Sequence, residues 1–160
     1  MTVRTGMTMR LEIQRASASA RLPADQQLRR WAESALEPDG GGAAEMVIRL
    51  VDEAEGAELN EQYRHQRGPT NVLSFPFEAP PGVDTAILGD LVICAGVVER
   101  EAEEQGKSLE SHWAHMVVHG TLHLQGYDHL DDSDAQRMEA REVAILDALG
   151  FPDPYEVEKS

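Results

Sequence analysis

The 160-residue sequence contains a single cysteine, Cys94, so no disulfide can form within the chain. This usage fits the reducing cytoplasm, and Cys94 itself lies in an apolar run that predicts a small core residue. No apolar run approaches the ~20 residues that a membrane-spanning helix needs. The first ten residues also lack the apolar segment of a secretory signal. We therefore expect a cytoplasmic protein without a membrane association.

Basic residues are scarce as well. Lys and Arg number 14 against 29 Asp and Glu, which gives a formal net charge of −15. A chain of this charge is not expected to hold nucleic acid over a broad basic face, so any contact with a polyanion must be local. The length and the 41% hydrophobic content predict one globular domain, with an ordered core at about residues 10–152 and a loose acidic tail.

Hydrophobic periodicity predicts the element order β-α-β-α-β-β-α-α-α. The four predicted strands are alternating or apolar segments, at residues 10–16, 45–51, 72–77 and 88–94. The short links around the first helix predict a parallel pair, whereas the ten-residue loop before the fourth strand predicts an antiparallel one. Helices are predicted at about residues 23–36, 53–64, 97–105, 109–124 and 134–149. The expected fold class is α+β, a mixed four-stranded sheet with about five helices.

Polar side chains that can cap helices mark three of these boundaries. Asp52 with Glu55, and Ser133 with Gln136, have the spacing of a capping box, and Ser108 is a further candidate cap. These residues predict helices that begin directly after positions 52, 108 and 133.

Three histidines, His119, His123 and His129, fall within one short stretch that also contains Gly126. On a helix, residues four apart lie on one face, so the first two rings can approach a common point. A left-handed Gly126 would end the helix and turn the chain back, which would bring His129 to the same point. Three imidazoles with one open position are the ligand set of a catalytic zinc, so we predict one Zn²⁺ per chain.

The spacing of these histidines matches the zincin signature H-E-x-x-H-x-x-G-x-x-H, with one departure. Gly120 stands where metallopeptidases carry the Glu that acts as general base. The sequence therefore retains the metal-binding pattern of a zincin but lacks the base of the peptidase.

Four histidines share one stripe of the predicted metal helix, because His112 and His115 align with His119 and His123. We interpret His112 and His115 as residues at the rim of the site or behind its ligands. Glu142 falls in the apolar stripe of the last helix, where it either snorkels or pairs with a cation, or else orients a ligand histidine. The sequence alone does not assign the roles of these three residues.

Residues 119–129, His-Gly-Thr-Leu-His-Leu-Gln-Gly-Tyr-Asp-His, resemble the H-G-x-L-H-L-x-G-Y-D-H signature of the YbeY family of bacterial endoribonucleases. Residues 63–75 resemble the family pattern Y-R-x-x-x-x-P-T-[DN]-V-L-S-F, and Asp90 resembles the aspartate of its G-D-[IL]-V-I pattern. The resemblance extends from the second strand to Pro152, and it implies a YbeY-like fold with a zincin-like metal helix.

This resemblance implies a metal-dependent endoribonuclease specific for single strands, acting in late 16S ribosomal RNA 3′-end maturation and in ribosome quality control. It implies His119, His123 and His129 as metal ligands and Arg64 as the catalytic residue. Spacing alone favours a solvated cation for Arg64, and it leaves Asp90 open between a turn residue and an active-site role. The implied partners are single-stranded ribosomal RNA, the small ribosomal subunit, a ribosomal protein and a ribosome-assembly GTPase, with no membrane.

Two other functional classes stay open at this stage. One is a zincin-type metallopeptidase, which lacks its base at Gly120. The other is a non-catalytic assembly factor whose zinc is structural, although structural zinc usually has four protein ligands. For a nuclease, two nucleophiles remain open. Zinc can lower the pKa of a bound water to ~7 and so supply hydroxide, or the ribose 2′-hydroxyl can attack the phosphodiester.

Overall fold

The computed structural model describes residues 8–37, 43–83, 85–127 and 131–155. Its elements follow the order that the sequence predicts. The strands are β1 (Thr8–Ala16), β2 (Ala43–Val51), β3 (Val72–Pro76) and β4 (Ile87–Cys94). The helices are α1 (Asp25–Ser34), α2 (Glu53–Arg64), α3 (Ala95–Gln105), α4 (Leu109–Leu124) and α5 (Asp132–Leu149). None of these described helices is both long and apolar enough to cross a bilayer.

The four strands form one mixed sheet in the order β1-β2-β4-β3. β1 and β4 both run parallel to β2, and β3 runs antiparallel to β4. The predicted orientations of the first pair and of the last pair are therefore confirmed. β3 lies at the edge of the sheet, because β4 is its only partner among the described strands. Pro76 ends this strand, in agreement with the edge or end position that a residue without an N–H requires.

Side chains of β4 alternate between two hydrophobic clusters on opposite faces of the sheet. Leu91 and Ile93 belong to the main core, which α1, α4 and α5 complete. Val92 and Cys94 belong to a smaller cluster that also includes Leu59 of α2. The sheet thus separates α4 on one face from α2 on the other, and both helices reach the edge that β3 forms. Cys94 is a buried free thiol, as the sequence predicts.

α4 runs through the core, since eleven of its sixteen residues are buried. Ser108 caps its start by accepting a hydrogen bond from the Ser111 N–H, as predicted. Gly126 has a left-handed φ of 102°, and the Tyr127 N–H donates to the Leu122 carbonyl at 3.2 Å. This is the glycine-terminated helix end that the sequence predicts.

A close approach between α4 and the sheet requires glycine at position 120. A Cβ built on Gly120 would lie 2.7 Å from Leu91 Cδ2 and 3.3 Å from Val72 Cγ2. Both of these atoms belong to buried residues of the sheet, Leu91 of β4 and Val72 of β3. The absence of a side chain at this position therefore sets the distance between α4 and the strands β3 and β4.

Two predicted capping boxes are wrong. Asp52 precedes α2, but its carboxylate accepts a hydrogen bond from the Ser17 hydroxyl at 2.5 Å and caps no helical N–H. The chain that leaves β1 passes beside it and supplies the competing donor. At α5 the cap is Asp131, which accepts from the backbone N–H three residues later at 2.8 Å. Ser133 consequently lies inside the first turn of the helix and does not precede it.

Candidate functional site

A cleft of about 660 Å³ opens along the edge strand β3. Tyr63 and Arg64, the last two residues of α2, line one side, and His119 and His123 of α4 line the other. Residues 70–75 form the wall between them. The structure therefore brings the predicted catalytic arginine and two of the predicted metal ligands into one cavity.

Helical spacing places His119 and His123 next to each other in this cleft. Their ring centroids are 6.0 Å apart, and the rings are inclined by 61°. Both residues are half-buried, in contrast to the buried residues that precede them on α4. The less buried end of the histidine stripe thus lines the cleft.

The third predicted ligand, His129, lies outside the described residues. The described chain stops after Tyr127, directly beyond the left-handed Gly126, and resumes at Asp131. The helix end on which the three-histidine prediction depends is confirmed, but the participation of His129 stays a prediction.

Glu142 of α5 is a fully buried carboxylate that lies behind the histidines of α4. Its Oε2 is 3.0 Å from His119 Nδ1, and its Oε1 is 2.6 Å from His115 Nε2. Oε1 also accepts a hydrogen bond from the Tyr155 hydroxyl at 2.5 Å. The expectation that Glu142 snorkels is wrong, because its side chain is fully buried. The alternative that it contacts a predicted ligand histidine is the one observed, at His119.

Electrostatics fix the direction of these hydrogen bonds. Burial alone would raise the pKa of Glu142, but hydrogen bonds and attraction from His115 and His119 outweigh it and lower the pKa to about 2. An ionised carboxylate only accepts, so His119 must donate through Nδ1–H. In the neutral ring the lone pair then resides on Nε2, as in histidine ligands whose second nitrogen is held by a carboxylate. Burial and the contact with Glu142 raise the pKa of Tyr155, which keeps its hydroxyl a donor.

His112 and His115 are both buried, with 3% and 7% of their surface exposed, so a position at the rim is wrong for them. His112 Nε2 lies 2.9 Å from a Glu101 carboxylate oxygen that also accepts from the Asn71 amide at 3.0 Å. Burial lowers the pKa of His112, although Glu101 opposes the shift. Asn71 in turn accepts from the Val72 N–H at 2.6 Å, so this chain of contacts fixes the start of β3.

The donor set fits a metal ion. Within the described ranges, His115, His119 and Glu142 each offer an atom within 4.8 Å of the others, which is close enough to hold an ion. In the present arrangement these atoms already share hydrogen bonds. The arrangement at the cleft, with His119 oriented from behind and His123 one turn away, matches the imidazole chemistry that zinc prefers. Imidazole ligands also suit copper, nickel and iron.

Arg64 is the last residue of α2, and a left-handed His65 (φ 56°) caps the helix. The His65 N–H donates to the Glu61 carbonyl at 3.1 Å, so the chain leaves the helix in a defined direction at the cleft. None of the salt bridges between described residues involves Arg64. Its exposed guanidinium therefore retains its capacity for an anion, and its catalytic role stays a prediction.

Asp90 lies away from the histidines. It is an exposed residue of β4, on the face opposite to Leu91, and it lines a shallow cavity of about 230 Å³ with Arg10 and Glu45. The structure does not bring it into the cleft, so an active-site role beside His119 has no geometric support.

Sequence reasoning missed Tyr155, because it falls in the segment expected to be a loose tail. That expectation is wrong for residues 153–155: the Tyr155 ring packs 5.4 Å from the His115 ring, and Lys107 donates to the Pro154 carbonyl at 2.9 Å. An aromatic residue within an otherwise polar tail was the available signal. Residues 156–160 lie outside the described part of the chain.

Comparison with known proteins covers nearly the whole chain. A model of the family described as "Endoribonuclease YbeY" matches residues 12–150. The chain is 61% identical over 145 residues to Endoribonuclease YbeY of Methylococcus capsulatus (strain ATCC 33009 / NCIMB 11132 / Bath), covering 91% of this chain and 94% of that protein. The solution structure of TM1509 from Thermotoga maritima is similar with a TM-score of 0.58 at 28% identity, covering 90% of this chain and 99% of that one.

Proposed function

This chain belongs to the YbeY endoribonuclease family, and on that premise we propose that it is a metal-dependent endoribonuclease acting on single-stranded ribosomal RNA. The observation that carries the proposal is the single cleft that Arg64, His119 and His123 all line. These residues come from two sequence motifs that only the fold brings together. A guanidinium in the same cleft as imidazoles that can bind a metal is suited to binding a phosphodiester.

His119, His123 and His129 are the residues that would hold the metal, with zinc as the proposed ion. When bound, such an ion supplies a Lewis acid that withdraws charge from a phosphodiester. The chain's own contribution begins with Glu142, whose carboxylate holds Nδ1–H of His119 and thereby orients the ring. Tyr155 and His115 donate to the same carboxylate and fix it in place.

Arg64 is the only arginine or lysine among the described residues that line this cleft, and it adds its positive charge to that of the proposed ion. Its guanidinium can bind two phosphate oxygens with parallel N–H donors, and such contacts are stronger than hydrogen bonds between neutral groups. As the negative charge on the phosphate grows in the transition state, this contact strengthens. Arg64 therefore acts on the scissile phosphate in our proposal and contributes no recognition of the base sequence.

We further propose the cytoplasmic ribosome as the site of action. The role is late 3′-end maturation of 16S ribosomal RNA and ribosome quality control, as the family resemblance implies. A net charge of −15 supports a docking partner, because a surface of that charge repels RNA beyond the cleft. A protein of the small ribosomal subunit and a ribosome-assembly GTPase are the proposed partners.

The metallopeptidase alternative loses support from the packing at Gly120. A Glu at this position would place its Cβ 2.7 Å from Leu91 Cδ2, inside the contact between α4 and the sheet. The base that zincins use therefore has neither the residue nor the space at this position. A non-catalytic assembly factor would not require an exposed arginine in the same cleft as the histidines.

The test is to incubate the metal-loaded protein separately with ribosomal RNA and with casein. We expect cleavage of single-stranded regions of the RNA, no cleavage of casein, and loss of activity after treatment with a chelator. Chelated protein that regains activity when zinc is restored serves as the internal control. Cleavage of casein would favour a peptidase, and intact RNA with retained ribosome binding would favour an assembly factor.

A further inference from the structure

Tyr63 is the most exposed large hydrophobic residue of the described chain, with 56% of its surface exposed. Isolated exposed aromatics are common and carry no meaning by themselves. Tyr63 differs from Phe77 and Tyr155, the other exposed aromatics of the described residues, because it lines the cleft that holds Arg64 and the histidines. It also directly precedes Arg64 at the end of α2.

A second aromatic residue supports the Tyr63 ring. Phe75 of β3 contacts it in a T-shaped arrangement, with ring centroids 5.2 Å apart and an interplanar angle of 77°. Phe75 is half-buried and packs against the smaller hydrophobic cluster on the α2 face of the sheet. The edge-to-face contact restrains the Tyr63 ring. It nevertheless leaves 56% of the residue's surface exposed.

We propose that Tyr63, held by Phe75, is a stacking subsite for one unpaired nucleobase next to the phosphate that Arg64 binds; this inference rests on the endoribonuclease function proposed above. An aromatic face beside a cation is the combination with which proteins bind single-stranded nucleic acid. A stacked base contributes affinity that does not depend on positive charge. The subsite thereby lets an acidic chain hold RNA with Arg64 as the only arginine or lysine among the described residues that line the cleft.

The same geometry selects against duplex RNA. A base within a helix already has both faces covered by its neighbours, so it can reach Tyr63 only after it leaves the stack. Every base has an aromatic face, so the subsite discriminates little between sequences. Tyr63 thus contributes preference for single strands, whereas Arg64 contributes charge.

The experiment uses a single-stranded 2′-O-methyl oligoribonucleotide in which 2-aminopurine is moved through successive positions. Binding to the metal-loaded wild-type protein should quench the fluorescence most strongly at one position. Tyr63→Ala should abolish this quenching and weaken binding about tenfold, whereas Tyr63→Phe should retain both, because the phenyl ring still stacks. Phe77→Ala is the matched control, since Phe77 is 46% exposed but lies outside the cleft lining, and it should bind as wild type does.

A double-mutant cycle makes the test specific for stacking. An abasic nucleotide at the quenched position should weaken binding to the wild-type protein as much as Tyr63→Ala does, and should add nothing in the Tyr63→Ala variant. The subsite would be overturned if the losses of binding affinity were additive, or if quenching were unchanged in Tyr63→Ala. In that case, cleavage of RNA by the wild-type protein would still support the proposed function. If the wild-type protein neither binds nor cleaves RNA, the proposed function fails and the subsite with it.

Discussion

Glu142 on α5 holds His119 on α4 through a hydrogen bond of 3.0 Å between Oε2 and Nδ1. The two residues are 23 positions apart in the sequence. The Glu142 side chain is only 1% exposed, so the carboxylate that makes this contact is buried. In the neutral tautomer of His119, this contact holds the proton on Nδ1, so that Nε2 is the nitrogen that would bind a metal. Glu142 is therefore a positioning residue for a predicted ligand.

Replacement of this carboxylate should weaken metal binding. In Glu142→Gln an NH2 group replaces one carboxylate oxygen, and it must then face the N–H of either His119 or His115, so that two donors meet. The affinity for zinc should therefore fall by about 10- to 100-fold, as it does when other groups that orient metal ligands are replaced. Competition with a chromophoric chelator measures this affinity without using activity. Glu139→Gln, an exposed carboxylate on the same helix, is the control and should bind as wild type does. Unchanged affinity in Glu142→Gln would leave the contact with a purely structural role.

Single histidine variants should distinguish the two possible metal sites. His119→Ala, His123→Ala and His129→Ala should each lose most of about one bound zinc per chain, since a three-ligand site does not tolerate the loss of one imidazole. His112→Ala and His115→Ala should keep it. Elemental analysis of the folded proteins is the measurement. Full occupancy in His123→Ala together with loss in His115→Ala would instead place the ion among His115, His119 and Glu142.

Arg64 should matter for cleavage and not for folding. Arg64→Ala should lower the rate of RNA cleavage at least about a hundredfold, because a charge that stabilises the transition state is lost. Metal content and the thermal unfolding midpoint should not change, since Arg64 is exposed. Arg64→Lys should restore little activity, as a lysine cannot make the planar paired contact. Arg30→Ala, an exposed arginine on α1, is the control, and wild-type rates in Arg64→Ala would return Arg64 to the role of a solvated cation.

Gly120 should resist substitution. In Gly120→Ala the added methyl meets the buried Leu91, and the strain should exceed the gain in helix propensity, with a net loss of about 1–2 kcal/mol in the free energy of unfolding. Gly96→Ala is a matched control, because its Cβ would meet Glu53 Oε2 at 2.6 Å, the mobile end of a side chain that is 47% exposed. That variant should be neutral or slightly stabilised in urea denaturation. Equal stabilities of the two variants would show that α4 can shift away from the sheet.

Salt dependence should reveal how few phosphates the protein contacts. For single strands, the logarithm of affinity falls with the logarithm of salt concentration by about 0.7 per neutralised phosphate, so two or three contacts near Arg64, Arg67 and the metal give a slope of roughly −2. Titration of a single-stranded ribosomal RNA fragment across salt concentrations measures it, and unaided binding should be weak. A slope of about −5 or steeper, with tight binding, would require a basic groove outside the cleft.

The order of elements and the end of α4 could be predicted because they depend on local signals. Periodicity identifies each strand and helix, and the left-handed Gly126 follows from the residues around it. The caps at Asp52 and Ser133 could not be predicted in the same way. At each helix start several polar side chains compete, and the choice depends on donors such as Ser17 that a distant part of the chain supplies.

The site could be predicted only where its residues belong to recognisable motifs. A glutamate in an apolar stripe has two explanations, and only the packing of α5 against α4 decides that Glu142 contacts His115 and His119. Tyr155 and the T-shaped pair of Tyr63 and Phe75 carry no spacing signal, because their partners come from other elements. Arg64 shares a cleft with the histidines because of the order of the strands, which periodicity does not determine.

The edge position of β3 has a consequence for the dynamics of the cleft. A strand held by one neighbour opens at a lower free energy than one held on both sides, so the wall of the cleft belongs to the part of the sheet that opens first. Its amides should exchange with deuterium earlier than those of β2, although both strands belong to one sheet. Substrate that rests against this strand would slow the exchange locally, so the footprint of a bound RNA can be read from β3 while the rest of the sheet stays protected.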